Sequence, residues 1–212
     1  YSGQRYQIPY RGPGATGLGK PLKSILHGRR DIPIYTGSMA PKSQEQAAEI
    51  ADGLLLTCMH PERFDVIQPN LEAGFAKAAA AGRPGKSLKS FDVAPTVACI
   101  LGEDLDACRM PLKMSLALYL GGMGAKAKNF YNEYIRRVGY EAEAVKVQNL
   151  FLEGKREEAV AAVPDALVDA LHLLGTPARI KERFAAWKSL PIGTLIVGTP
   201  QVEAVRLLAE LA

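Results

Sequence analysis

Apolar residues in this chain gather into short unbroken runs, separated by longer stretches where they recur every three or four positions. The runs at 32–36 (IPIYT), 54–57 (LLLT), 91–101 (FDVAPTVACIL) and 195–198 (LIVG) predict four β-strands. None alternates with polar residues, the pattern expected of parallel strands covered on both faces. Pro95 interrupts the third run and predicts a strand end or a bulge. Between the runs the period changes to that of helices. Pro41 suits a first helical position, Ala47, Ala48, Ile50 and Ala51 give the helix a small apolar face, and Gly53 closes it. Residues 61–81 are helical and Ala-rich, and 104–190 read as helix almost throughout. Residues 200–212 form an amphipathic helix with Val202, Val205, Leu207, Leu208 and Leu211 on its apolar side.

The remaining residues are less regular. Residues 1–10 (YSGQRYQIPY) turn around Gly3 and predict a small hairpin or extended arm; 11–31, rich in Gly and Pro, predict irregular chain. Two stretches repeat one unit: IPIYTGSMAPKSQEQAAEIA and GTLIVGTPQVEAVRLLAELA each run strand, small-residue turn, proline, helix. That is the building block of parallel α/β folds. No linker stands out, so 1–212 is read as a single domain. The chain opens at Tyr1, not Met, inside an extended segment, which leads us to expect a piece of a longer polypeptide.

Composition narrows the function classes. With 26 Lys and Arg against 22 Asp and Glu, the charge is only +4, and no run of basic residues marks a nucleic-acid surface. An aromatic content of 7% argues against a base-stacking platform. No stretch reaches the roughly 18 apolar residues of a membrane helix. Cys58, Cys99 and Cys108 are an odd number without a CxxC pair, so neither a disulfide framework nor a metal site is indicated. A cytoplasmic protein with small-molecule ligands is the expectation.

Two glycine motifs fail on inspection. Gly12 to Gly17 matches GxGxxG, but no long helix follows to receive a pyrophosphate. Gly14 to Lys20 nearly matches a phosphate loop, but Pro21 stands where a metal-binding hydroxyl is needed. The stretch Gly37-Ser38-Met39-Ala40-Pro41 is better placed, because it follows a buried strand and opens a helix. Backbone N–H groups there point outward and favour an anion, and small Gly37 lets it approach. The same stretch also reads as a plain strand-to-helix turn capped by Ser38. Thr57 and His60 follow the next strand in the same sense, which sets them beside the 37–40 turn. His60 could touch substrate or move a proton, or could simply begin a helix. Cys58 has no charge partner and reads as inert; Asp52 reads as a helix-ending structural pair. Lys126, Lys128, Arg136 and Arg137 form a basic cluster near Tyr131 and Tyr134: a solvated face, or an attractor for an acidic tail on a cofactor.

The combination IPIYTGSMAPKSQEQAAEIADGLLLT resembles the luciferase-like flavin and deazaflavin oxidoreductases. YSGQRYQIPY is similar to that family's Tyr/Phe-x-Gly segment, and LLGTPARIKERFAAW to its Gly-Thr-Pro helix start. The resemblance is strongest to members that use coenzyme F420. It implies the C-terminal part of a TIM (β/α)8 barrel of the bacterial luciferase-like type, with a helical insertion before the last strand. It further implies hydride transfer between bound F420 and an organic substrate. The alternatives are an FMN-dependent monooxygenase of the same fold, or a non-catalytic anion-binding remnant of the barrel. By the resemblance, Gly37, Ser38, Met39 and Ala40 contact the coenzyme phosphate through their backbone, and Thr57 adds a contact. Met39 and Ala40 stand where relatives often carry glycine. A complete barrel has eight strands in ~250 residues; the family's first four β–α units, with ring-contacting residues and the contacts of a homo-oligomer, fall upstream of Tyr1. No catalytic residue is therefore named.

Overall fold

In the computed structural model, which describes residues 1–17, 23–29 and 31–212, the apolar runs meet in one parallel sheet. Its strands are β1 (Tyr35–Gly37), β2 (Gly53–Thr57), β3 (Asp92–Leu101), β4 (Leu173–Gly175) and β5 (Ile196–Gly198). The helices are α1 (Pro41–Ile50), α2 (Gln68–Ala80), α3 (Leu105–Gly122), α4 (Phe130–Arg137), α5 (Glu141–Leu152), α6 (Arg156–Ala161), α7 (Asp165–Leu171), α8 (Pro177–Lys188) and α9 (Val202–Leu211). A 3-10 helix, Pro61–Val66, follows β2. The alternation of strand and helix, with a helical insertion from α3 to α7, is the α/β architecture that the runs predicted. β4 was not predicted; its three residues, Leu-Leu-Gly, lie inside the stretch read as helix.

The chain forms two compact units, Tyr1–Ile32 and Pro33–Ala212. The first contains the expected small hairpin: Ser2 bridges Gln7 antiparallel, and Gly3 donates its N–H to the Tyr6 carbonyl. The near match to a phosphate loop at 14–21 runs into residues outside the described ones. The second unit holds the sheet.

β3 is the strand on which the sheet is built. Thr96 pairs with both Thr57 of β2 and Ile196 of β5, so these two strands occupy opposite edges of β3. β4 then pairs with Cys99 to Leu101 further along. Pro95 makes neither an end nor a bulge here. Asp92 donates its N–H toward β2, onto the Asp52 carbonyl, and alternation turns the Pro95 nitrogen to the other edge. There β5 begins only opposite Thr96, so the proline deprives no partner of a donor.

The expectation of two covered faces is corrected. Leu54, Leu56, Val93, Val97 and Cys99 form one fully buried face, packed with Ala47 and Ala48 of α1 in a continuous core. The other face is only partly covered, with Ala94 buried on it. Leu55 is 39% exposed and Ile196 38%, and Thr57 and Thr96 are exposed beside them. β1 is an edge strand, which leaves Ile34 65% exposed, so the run at 32–36 is not a fully buried strand. α9 also differs: Ala204 and Leu208 turn inward, whereas Val202 and Val205 are exposed.

Asp52 performs the structural role expected of it, its carboxylate accepting the Ile34 N–H at 2.8 Å. At the same end of the sheet Asp92 accepts from the Tyr35 hydroxyl at 2.8 Å, the Thr194 hydroxyl at 2.6 Å and the Gly193 N–H at 3.1 Å. The amino ends of the strands are thus laced together by side chains. Their carboxyl ends, where parallel α/β folds bind ligands, are left for the site. Among the described residues no helix is long and apolar enough to cross a membrane, and no group of His, Cys, Asp or Glu could hold a metal.

Candidate functional site

A cleft of about 400 Å³ opens at the carboxyl ends of β1 and β2, within the range typical of small-molecule sites. Gly37, Ser38, Met39, Ala40 and Thr57 all line it, together with Ser43, Leu55, Phe130 and Tyr131. The five residues singled out from the sequence are therefore brought together. Alternation in β2 explains part of this: Leu54 and Leu56 point into the core, so Leu55 and Thr57 face the cleft.

The helix start beside the cleft is left without a side-chain cap, as are those of α2, α5, α6, α7 and α9, but this one borders the cavity. Ala40, not Ser38, is the N-cap of α1, and it supplies no side-chain hydrogen bond. Ser38 donates its N–H to the Leu55 carbonyl at 3.3 Å, which ties the turn to β2. Among the described residues the N–H groups of Met39 and Ala40 have no backbone acceptor. Pro41 follows with no N–H to offer. The reading of a turn capped by Ser38 is thereby corrected. A side chain built on Gly37 would meet nothing within 4 Å, so this glycine borders empty space.

Behind the turn the Met39 carbonyl is held twice. Arg137 donates Nη2 to it at 2.8 Å, and Gln44 donates Nε2 at 3.3 Å. Gln44 is buried and in turn accepts from the Asn70 amide at 2.9 Å. A trans peptide sets its N–H opposite its carbonyl, so a carbonyl drawn back toward Arg137 turns the Ala40 N–H the other way.

The far wall comes from α4, and its signal in the sequence was Asn129. This buried residue accepts from the Tyr131 and Asn132 N–H groups at 3.0 and 3.1 Å, capping α4. Its amide donates to the Tyr119 and Leu120 carbonyls at the end of α3, at 2.9 and 3.0 Å. Phe130 and Tyr131 therefore stand at fixed positions, with the Tyr131 ring 4.6 Å from that of Tyr119. Burial and the neighbouring Tyr119 push the Tyr131 hydroxyl above its ordinary pKa, so it remains a neutral donor near pH 7. An asparagine just ahead of an aromatic pair marks such a helix start, although it cannot say what the pair faces.

His60 does not line the cleft. Cys58 adopts a left-handed conformation with φ of 60°, uncommon outside glycine, and the chain then turns toward a second hollow. That hollow, about 480 Å³, is bordered by His60, Glu62, Tyr140, Arg183 and Trp187 among others. His60 is the N-cap of the 3-10 helix, its Nδ1 accepting the Glu62 N–H at 3.2 Å. Burial lowers its pKa, against the opposing pull of Glu62, so the ring is neutral near pH 7. Cys58 is buried and its thiol is pushed up to about 12, in keeping with an inert role.

The basic cluster is dispersed. Lys126 and Lys128 belong to the bridged turn before α4, while Arg136 and Arg137 end that helix. Arg136 is paired with Glu141 at 2.5 Å. Lys128 lies 5.8 Å from the centre of the Phe130 ring, on the cleft wall, and Arg137 serves the turn. The four do not form one patch on one helix.

Comparison with known proteins gives a consistent result. Residues 1–194 match the model of the luciferase-like monooxygenase family. A protein of Mycobacterium tuberculosis, provisionally named a coenzyme F420-dependent oxidoreductase, is 37% identical over 99% of this chain and 60% of its own length. The 5,10-methylenetetrahydromethanopterin reductase of Archaeoglobus fulgidus is 29% identical over 80% of this chain and 48% of its own length. Among solved structures, the coenzyme F420-dependent tetrahydromethanopterin reductase of Methanopyrus kandleri superposes with a TM-score of 0.61 at 22% identity, covering 86% of this chain and 50% of that one. An F420-dependent secondary alcohol dehydrogenase bound to an F420–acetone adduct gives 0.52 at 17% identity, over 92% and 50% of the two chains. The chain thus spans about half the length of these relatives, and it carries part of their barrel fold.

Proposed function

The chain belongs to the luciferase-like monooxygenase family, and from that premise we propose that its cleft binds the phosphate of coenzyme F420. The protein is then an oxidoreductase that moves a hydride between this deazaflavin and an organic substrate. The observation that carries the reading is the open turn beside the cleft: α1 begins without a side-chain cap, and among the described residues the Met39 and Ala40 N–H groups have no acceptor. Relatives that are named for F420 support this coenzyme over FMN.

The residues present fit a phosphate. Uncapped N–H groups at a helix start, with the helix dipole behind them, stabilise an anion by roughly 0.3–1 kcal/mol before any charged contact is counted. Gly37 leaves room for close approach. The Thr57 hydroxyl, at the end of the adjacent strand, adds a donor from the floor of the cleft. Phe130 and Tyr131 supply an aromatic wall on one side. When bound, the deazaflavin supplies the hydride-carrying ring; this chain's contribution at the cleft is to bind and orient. His60 belongs to the second hollow and takes no part in the phosphate site.

The absorbance spectrum of the purified full-length protein tests the reading, followed by titration of the stripped protein with each coenzyme. A deazaflavin band, or tighter binding of F420 than of FMN, is expected. A flavin band with the reverse preference would replace F420 by FMN. Binding of neither would leave a non-catalytic anion-binding module.

A further inference from the structure

Arg137 shares with Arg183 a buried, unpartnered Nε, and it is the one that reaches the turn beside the cleft. It reaches across from the end of α4 to the 37–40 turn, far away in sequence, and donates to the Met39 carbonyl at 2.8 Å. Its Nε is buried with no hydrogen-bond partner. Among the described residues it has no carboxylate within ion-pair distance, although its neighbour Arg136 is paired with Glu141. Its guanidinium lies 5.7 Å from the centre of the Tyr134 ring, a fully buried side chain. A cation–π contact partly offsets the desolvation of such a group without neutralising it. A half-buried guanidinium with an orphaned N–H is costly, and a salt bridge is the ordinary remedy.

We propose that Arg137 is a positioning residue of the phosphate site, acting from behind the turn. It rests on the reading of the cleft as a phosphate site. Arg137 does two things there. By drawing back the Met39 carbonyl it turns the Ala40 N–H the opposite way, since the two are antiparallel across one trans peptide. By remaining unpaired it places a full positive charge behind a turn whose own N–H groups carry only partial ones. Gln44 shares the first task, because it holds the same carbonyl at 3.3 Å, but it has no charge for the second. The anion to which this arrangement answers is a phosphate monoester or diester of the coenzyme; the ring system itself gains nothing from it.

That separation supplies the test. Binding of F420 and of its phosphate-free deazaflavin chromophore is measured by fluorescence titration for the full-length wild type, Arg137→Gln and Arg137→Lys, at low and high salt. Glutamine keeps a donor for the Met39 carbonyl and removes the charge; lysine keeps the charge. Arg137→Gln is expected to bind F420 about tenfold more weakly at low salt, the scale of one charge-assisted interaction. The gap should narrow at high salt as the field is screened. Affinity for the phosphate-free chromophore should stay within twofold, and Arg137→Lys should recover most of the loss. If Arg137→Gln weakens both ligands alike, the residue is only structural and the proposal fails. A wild type that prefers the phosphate-bearing ligand, with variants that keep that preference in full, also overturns it. A wild type that does not distinguish the two ligands overturns the phosphate site itself.

Discussion

The turn from β1 into α1 and the turn from β4 into α8 follow the same plan and end in opposite states. Each leaves a parallel strand on a glycine, Gly37 or Gly175, and enters a helix whose first residue is a proline, Pro41 or Pro177. In each, an arginine takes a carbonyl of the turn region: Arg137 that of Met39 at 2.8 Å, Arg179 that of Leu174 at 3.1 Å. The second turn is closed. Thr176 caps α8 through the Arg179 N–H at 3.4 Å, Gly175 accepts the Gly102 N–H at 3.1 Å, and Arg179 is neutralised by Asp169 at 2.8 Å. Among the described residues the first turn has a backbone tie to β2 through the Ser38 N–H but no side-chain cap and no carboxylate on its arginine, and a cleft stands in front. The shared plan builds an α/β unit. What sets the first turn apart is that the N–H groups it leaves unused lie beside a cleft.

The start of β4, the strand that leads into the closed turn, should carry the largest energetic signature, and it should be a matter of pH. His172, just before β4, is largely buried and accepts the Ala98 N–H on its Nδ1 at 3.2 Å. Burial pushes its pKa down to about 4, against about 6.5 in an unfolded chain. The native state therefore binds fewer protons than the unfolded state between those values. Stability from this residue is complete above about pH 6.5 and is lost as the pH falls toward 4, a total of about 3 kcal/mol for a shift of this order. Chemical denaturation at pH 7 and at pH 4 should show that loss, and His172→Gln, which keeps an acceptor, should show about 3 kcal/mol less of it. His60 is also held low by burial and contributes in the same direction in both proteins, so the difference isolates His172. A variant with the same acid sensitivity as the wild type would remove His172 from the account.

A side chain at each glycine would separate the two turns next. At Gly37 there is open space, so Gly37→Leu should leave the melting temperature near that of the wild type while its side chain fills the cleft. Coenzyme affinity should fall by on the order of 100-fold, equivalent to about 2.7 kcal/mol. Gly175 has φ of 105°, where a Cβ is strained, so Gly175→Ala should destabilise the fold by about 1–2 kcal/mol and leave the affinity of the folded protein unchanged. Loss of stability at Gly37, or loss of affinity at Gly175, would break the comparison.

Much of this was legible from the chain. Local pattern sufficed for four of the five strands, β4 being lost inside a helical stretch, and for setting Gly37, Ser38, Met39, Ala40 and Thr57 side by side, because a strand, a small-residue turn and a proline are consecutive in sequence. It did not suffice for Ser38 as a cap, since Ser38 is two residues too early and spends its N–H on β2. Nor could it locate His60, because the left-handed backbone at Cys58 redirects the chain within three residues of Thr57. Phe130, Tyr131 and Arg137 come from a helix some ninety residues beyond the turn, and only the packing of α4, set by Asn129, brings them to it. The partly covered face of the sheet was missed for a related reason. Uniformly apolar strands predict cover on both sides, and the run at 32–36 does not reveal that it forms an edge.

The smallest expected effect is the most discriminating, because it trades one property of the open turn for another. Ala40 has φ of −78° and ψ of 142°, the backbone of an ordinary N-cap, so an aspartate fits there without strain. Its carboxylate would accept from the Lys42 or Ser43 N–H in the first turn of α1 and meet the positive end of the helix dipole. Replacing alanine by a good cap stabilises a helix by about 0.5–1 kcal/mol in exposed settings, so the melting temperature of Ala40→Asp should rise slightly. The same carboxylate would stand beside the Met39 and Ala40 N–H groups proposed for phosphate and repel it, so coenzyme affinity should drop by at least about tenfold. Ala40→Asn supplies a cap without the charge; it should give a similar gain in stability and a smaller loss of affinity. The reciprocal change, Thr176→Ala, should cost the closed turn about 1 kcal/mol and leave coenzyme binding untouched. Stability and affinity should therefore move in opposite directions at Ala40, while at Thr176 only stability should move. If Ala40→Asp gained stability and kept its affinity, the unused N–H groups would be a defect of the fold with no ligand to meet.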